Sequence, residues 1–213
     1  LWHDHCLPGN YPCKNNSIQR WDGFKVPWPF YRTFDKNDDR LSVLVGEYMG
    51  NDGVLFNEES DIIKHGNTYS GAVPVKYGED PESTGDGSQI DWIVYRYADV
   101  LTLLSEAIVR QGNSVTQEAV DLLNQIRVRA KLSPYTMGDI KGVDDFLDKM
   151  LQERGHEFWW EGNRRADLIR HGKFIQNAID RGSTTTKPEF VLFPLPQAVI
   201  NEGKGIIIQN PGY

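Results

Sequence analysis

The sequence predicts a mostly α-helical fold of helix hairpins with long loops. Three observations carry that expectation. Apolar residues recur at helical spacing between residues 96 and 181. Short stop signals such as Gly112-Asn113 and Ser133-Pro134 break that stretch into separate helices. Residues 1–90, by contrast, are rich in Gly, Pro, Asn and Asp and show little helical periodicity. The expected organisation is a loop-rich segment, residues 1–90, packed on a helical segment, residues 91–213.

Within residues 1–90, Leu7-Pro8-Gly9-Asn10 and the run 79–87 read as turns or loops. Residues 41–48 read as a short strand or a helical turn, and residues 73–77 as a short extended piece. The first long helix is expected over residues 96–110. Val100, Leu103, Leu104 and Ala107 form its core face, widened by Leu101 and Ile108. After Gly112-Asn113, Ser114 offers an N-cap with Gln117 as its capping-box partner. A second helix then runs to about residue 130, with Ala119, Leu123, Ile126 and Ala130 on one face. The third spans residues 144–160 with Phe146, Leu147, Met150, Leu151 and Phe158 inward. Gly155 inside it costs about 1 kcal/mol relative to Ala and marks close packing. Short helices are expected near 165–170 and 174–181, and an extended Pro-containing tail from Lys187. The first two helices form an antiparallel pair of tetratricopeptide type, although no clean 34-residue repeat is visible.

Composition narrows the function classes. The 213 residues carry a formal net charge of −7, a poor match to a phosphate backbone, so no nucleic-acid partner is expected. No apolar run approaches the ~20 residues that cross a bilayer. The chain opens at Leu1 in loop-like sequence, so any targeting signal is expected upstream. Cys6 and Cys13 fit neither a CxxC redox site nor a four-ligand zinc site. They read as two thiols or, in an exported protein, a local disulfide.

Several residue groups invite a chemical reading. Glu153, Arg154, Glu157, Glu161, Arg164, Asp167 and Arg170 resemble acid–base machinery, but alternating signs at spacings of three and four suit ion pairs that pin helices together. His3-Asp4-His5 lacks further metal ligands. Asp35, Asn37 and Asp39 open like a calcium loop, yet Arg40 and Gly46 stand where that loop needs Gly and Glu. No metal site and no cofactor are expected.

The aromatics are more informative. Trp2, Tyr11, Trp21, Phe24, Trp28, Phe30, Tyr31 and Phe34 put eight rings into forty residues, against 11% for the whole chain. They lie in polar loops rather than on a periodic face. Flat rings stack on the C–H faces of sugars while neighbouring polar groups bond the hydroxyls. Trp21, Trp28 and Tyr31 are the expected platform, with Asp22, Lys25 and Arg32 as polar contacts. Trp28, between Pro27 and Pro29, is expected to be stiffly held and partly exposed. The competing reading makes these rings a satellite core under long loops. Trp159 and Trp160 read as packing residues.

Four segments, taken in order, resemble the SusD/RagB family. They are Tyr95-Arg96-Tyr97-Ala98-Asp99-Val100-Leu101 with Glu106-Ala107; Asn124-Gln125-Ile126-Arg127-Val128-Arg129-Ala130; the stretch from Glu153-Arg154 through Trp160-Glu161-Gly162-Asn163-Arg164 to Arg170; and Phe193-Pro194-Leu195-Pro196 with the terminal Gln209-Asn210-Pro211-Gly212-Tyr213. Asp38-Asp39-Arg40 and Val75-Lys76-Tyr77 add weaker matches, while Gly155 and His156 depart from commoner choices. The resemblance covers residues 95–213 well and corresponds to the carboxy-terminal part of the family. It implies a non-enzymatic outer-membrane lipoprotein of the cell surface, built on tetratricopeptide-like helix pairs. Such a protein captures an oligosaccharide or other nutrient over a SusC-like TonB-dependent transporter. The lipid anchor then lies outside this chain, because neither Cys6 nor Cys13 follows an apolar h-region. Two other classes compete: a helical-repeat protein-interaction module without its own ligand site, and a glycosidase, which needs two carboxylates about 5–9.5 Å apart in an open cleft.

Overall fold

Residues read as loops carry more regular structure than their composition signals. The computed structural model describes residues 6–85 and 87–213. In it, β1 (Val26–Pro27) runs into a one-turn helix, α1 (Trp28–Tyr31), where Pro29 takes an early position that needs no N–H donor. A 3-10 turn, Asp39–Val43, leads into β2 (Leu44–Val45), so residues 41–48 hold both a helical turn and a strand. The strands β3 (Tyr48–Met49) and β4 (Leu55–Phe56) form a hairpin whose turn includes Gly53 at φ 75°. Then come α2 (Glu58–Tyr69) and β5 (Gly71–Pro74).

Helix α2 corrects the expectation of little helix before residue 90. Asn57 caps it by accepting from the Ser60 N–H at 3.0 Å, and Ser60 Oγ accepts from the Asn57 N–H at 2.9 Å. Glu58, Glu59 and Asp61 fill the first turn, where the helix dipole favours carboxylates. Gly66, at φ 69°, kinks it near the end. The buried strand β5 sits between β1 and β2, antiparallel to both, with Ala72 opposite Val26 and Val73 opposite Val45. Leu7, Val26, Trp28, Phe34, Leu44, Phe56 and Val73 close a core there, joined by Trp159.

Three long helices follow: α3 (Tyr97–Gly112), α4 (Gln117–Arg129) and α5 (Val143–Phe158). Asn113 ends α3 in the left-handed conformation, φ 44°. The cap of α4 is Thr116, whose hydroxyl accepts from the Ala119 N–H, and not the expected Ser114. The α4 face Ala119, Leu123, Ile126 and Ala130 is buried as expected. So are Phe146, Leu147, Met150, Leu151 and Phe158 of α5. Ala119, Leu123, Phe146, Leu147 and Met150 form a second core with Val109 and Val120, each large side chain contributing about 1.5–3 kcal/mol.

Helix α3 is turned the other way from the expected orientation. Val100, Leu103, Leu104 and Ala107 are exposed, while Asp99, Leu101, Thr102, Ser105, Glu106 and Val109 are buried. The physical reason is specific pairing of the polar side. Arg154 of α5 donates to Asp99 Oδ1 at 2.8 Å and to Thr102 Oγ1 at 2.5 Å, and Ser105 Oγ donates to the Ala119 carbonyl at 2.6 Å. Buried polar groups held this way outrank an aliphatic stripe for the inner position.

The chain divides into two compact units, Leu1–Glu161 and Gly162–Tyr213. The second holds α6 (Arg164–Arg170), α7 (Phe174–Asp180), a 3-10 turn at Pro188–Val191 and α8 (Gln197–Glu202). Gln209 pairs its side-chain amide with both backbone groups of Leu195, at 2.7 and 2.9 Å. Asn210 donates to the Phe193 carbonyl at 2.8 Å, so the terminal residues bind back onto the Phe193–Pro196 stretch. The Arg165 guanidinium lies over the Phe193 and Phe174 rings. Among the described residues no helix is long and apolar enough to cross a membrane.

Candidate ligand-binding site

Glu153 and Glu157 of α5, and Glu161 just beyond its end, are occupied by protein partners. Glu153 pairs with Arg40 at 2.7 Å and with Arg127 at 2.8 Å. Glu157 takes Arg40 at 3.2 Å, Arg129 at 2.6 Å and Arg96. Glu161 takes Arg96 at 2.8 Å and Lys76. Arg40 is itself fixed by a two-point bond to Asp38, at 2.8 and 2.6 Å. Burial alone would raise the Glu157 pKa, but Arg96, Arg129 and Arg40 outweigh it and hold the carboxyl below its ordinary value. In the second unit Asp167 pairs with Arg170 at 3.0 Å. Glu153, Glu157 and Glu161 clamp the 3-10 turn, β5's continuation, α3 and α4 onto α5 and its C-terminal extension. Asp38, Arg40, Lys76, Arg96, Arg127, Arg129, Glu153, Glu157 and Glu161 are among the residues that carry the family resemblance, and they converge on this one lattice. The calcium-like stretch is similarly committed: Asp35 accepts from the Asn37 N–H and Asp39 pairs with Lys131.

The second cluster of polar chemistry forms where the Trp21–Phe34 stretch meets α2. Helical spacing puts Glu58, Asp61 and His65 on one side of α2. Each meets a residue singled out in the sequence. Asp61, fully buried, accepts from Lys25 Nζ at 2.5 Å, from the Trp28 indole N–H at 3.1 Å and from the Gly71 N–H at 2.7 Å. Burial would raise the Asp61 pKa, but the Lys25, Gly71 and His65 hydrogen bonds prevail and lower it. His65 Nδ1 lies 2.9 Å from Asp61 and its Nε2 3.2 Å from Asp22. Asp22, at φ 54°, also pairs with Lys25 at 3.0 Å. A cleft of about 210 Å³ opens beside this cluster, lined by Asn10, Asp22, Asp52, Phe56, Lys64 and His65 among others. It combines one buried ring with charged and amide groups, the mixture that recognises a polar ligand with apolar faces.

Of the expected residues, Asp22, Lys25 and Trp28 converge on Asp61. Tyr31, half-buried, stands edge-on to Trp28 with ring centres 5.4 Å apart. Arg32 is exposed and pairs with Glu58. Trp21 is 53% exposed and gives its indole N–H to Gln19 at 2.9 Å. Trp28 corrects the expectation of partial exposure: it is 2% exposed, because the carboxylate of Asp61 satisfies its indole N–H inside the core. The three rings therefore do not present one flat surface. Phe24 is 48% exposed and lies edge-on to the half-buried Trp160, which holds a left-handed φ of 67°. Asp61, His65 and Asp52 escaped the sequence reading. The Asn57-x-x-Ser60 cap preceding Asp61 was the signal that could have revealed Asp61 and His65. Trp2 and His3-Asp4-His5 lie outside the described residues. Cys6 and Cys13 are both buried.

Comparison with known proteins decides the family. The model of the SusD family matches residues 25–213. The chain belongs to the SusD family. It matches the family's carboxy-terminal portion. The starch-binding protein SusD of Bacteroides thetaiotaomicron is 27% identical over 165 residues, 74% of this chain and 27% of that protein. A SusD homolog of known structure from the same organism superposes with a TM-score of 0.73 at 20% identity, covering 97% of this chain and 46% of that one. Surface glycan-binding protein A from B. thetaiotaomicron, solved in complex with laminarihexaose, gives 0.60 at 21% identity, covering 98% and 46%. The SusD-family chain thus spans less than half the length of these solved relatives.

Proposed function

We propose that this SusD-family chain is the carboxy-terminal part of a non-catalytic protein that binds a glycan at the cell surface. The single observation that carries the reading is the family match over residues 25–213, among relatives one of which is named for binding starch and another of which was solved in complex with laminarihexaose. The chemistry of the chain supports it. The carboxylates of Glu153 and Glu157 are engaged by arginines, as a scaffold requires, and charged and amide groups line the cleft beside Asp22 and His65. Trp21, Tyr31, Asp22, Lys25 and Arg32 are proposed to contribute to recognition, with Trp28 supporting the site from inside. In the finer reading, the glycan passes to a SusC-like TonB-dependent transporter, and a lipid anchor outside this chain holds the protein to the outer membrane.

Titration calorimetry of the full-length polypeptide with starch and laminarin oligosaccharides tests this. Saturable binding without release of shorter sugars is expected. Product release would move the protein to the glycosidases. Failure to bind any glycan offered, with retention of a membrane transporter in a pull-down, would favour the helical-repeat interaction module.

A further inference from the structure

We propose that the cleft beside Asp22 and His65 selects an uncharged, hydroxyl-rich glycan and rejects one carrying carboxylate or sulfate groups, with Asp52 as the discriminating residue. This selectivity rests on the glycan binding in that cleft, as proposed above, and gives the glycan a chemical class. The cations around the cleft are committed within the protein. Lys25, whose side chain is 3% exposed, pairs with Asp61 at 2.5 Å and with Asp22 at 3.0 Å. Both ring nitrogens of His65 face carboxylates, Asp61 at 2.9 Å and Asp22 at 3.2 Å. Lys64 reaches Asp22 at 3.5 Å. Asp52 has no such counter-charge. Among the described residues it makes no ion pair, and Lys64 acts on it only from beyond that distance.

The hairpin of β3 and β4 holds this carboxylate in one place. Asp52 lies in its turn and accepts from the Val54 N–H at 3.0 Å and from the Asn10 amide at 3.0 and 3.1 Å. Tyr48 Oη donates to Asn10 Oδ1 at 2.8 Å, which turns the amide nitrogen of Asn10 toward Asp52. A Cβ at Gly50 would run into that nitrogen and into Asp52 Oδ1, so the glycine leaves room for the pair. Beside the cleft of about 210 Å³ lies a second hollow of about 510 Å³. The two share Asn10, Asp52 and Lys64, so Asp52 stands where they meet. The larger one falls within the ~300–1,000 Å³ of small-ligand sites.

The ligand class follows from what such a carboxylate can do. An ionised carboxylate accepts hydrogen bonds and donates none. A sugar hydroxyl donates to it. A uronate or sulfate oxygen cannot, and it brings a second negative charge beside one that no cation balances. The Val54 N–H and the Asn10 amide hold the Asp52 carboxyl below its ordinary pKa, so the charge persists at neutral pH. The chain's net charge of −7 has the same sign.

The test is calorimetry of the full-length polypeptide with neutral oligosaccharides, laminarihexaose and maltohexaose, against oligogalacturonate and a sulfated oligosaccharide of the same length. The neutral class is expected to bind at least ~10-fold more tightly at low salt, with the gap narrowing as salt rises. Asp52→Lys should strengthen binding of the acidic class at least ~10-fold, and Asp52→Asn by less. An acidic oligosaccharide that binds the wild type as tightly as the neutral ones would overturn the selectivity and leave the glycan reading standing. Two folded Asp52 variants with the wild-type ratio would overturn the role of Asp52. Binding of neither class would remove the glycan reading and the selectivity with it.

Discussion

The indole N–H of Trp28 donates to Oδ2 of Asp61 across 3.1 Å, with both side chains sealed from solvent. A ring placed by its loop context among stacking candidates is thus a structural anchor, tying α1 to α2. Trp28→Ala is expected to cost about 3–5 kcal/mol in stability. Trp28→Phe keeps most of the ring but strands a buried carboxylate lone pair, and should cost about 1–3 kcal/mol. Urea denaturation measures both, and an unchanged midpoint for Trp28→Ala would contradict the burial.

Trp21 makes the opposite prediction. It is 53% exposed, so Trp21→Ala should leave stability within about 0.5 kcal/mol. If Trp21 stacks on sugar, the same substitution should weaken oligosaccharide binding roughly tenfold, about 1.4 kcal/mol. Calorimetry on the full-length protein distinguishes these effects, and an unchanged Kd removes Trp21 from the site.

Glu157 binds three arginines from three different elements. Glu157→Ala leaves Arg40, which is 8% exposed, facing only its other carboxylates, and should cost about 3–5 kcal/mol. A double-mutant cycle between Arg40 and Glu157 should return a coupling of about 0.5–3 kcal/mol. Independent, additive effects would mean that the two do not share a lattice.

The same groups set an acid limit. Glu157 and Asp61 both have pKa values lowered in the fold, from ordinary values of 4.5 and 3.8. A depressed carboxylate contributes stability that is complete above its unfolded pKa and is lost as pH falls through its folded pKa. The denaturation midpoint should therefore vary little from these two groups between about pH 7 and 5 and fall steeply below 4.5. Glu157→Gln should flatten that acid slope. A variant with the full wild-type slope would assign the acid sensitivity elsewhere.

Gly71 tests the sheet. A methyl group there would run into the Val26 carbonyl oxygen of the paired strand, a backbone atom that cannot swing aside. Gly71→Ala should cost about 1–3 kcal/mol through overpacking. Thermal melting reads it, and wild-type behaviour would show that β1 and β5 have room to separate.

The inward faces of α4 and α5 were legible because each has one apolar stripe at helical spacing and nothing competes with it. The sense of the ionic set was legible too, since alternating charges at helical spacing predict pairing, although the pairing of Arg154 with Asp99 on α3 was not. Helix α2 was hidden because its apolar positions are few and its cap lies in polar sequence. Candidate residues Asp22, Lys25 and Trp28 fell in one place because an excess of rings in polar loops marks a local specialisation. Their common partner Asp61 comes from a distant stretch and carries no such mark.

By itself, then, the sequence determined the mostly helical class, the helix pair, the family and the residues that clamp it, because helical spacing and charge alternation are local properties. Tertiary structure alone decided that Trp28 turns inward and that α3 shows its aliphatic side to solvent. Those choices depend on Asp61 and Arg154, partners brought near only by folding, whose hydrogen bonds make burial of a polar side cheaper than leaving it unmatched.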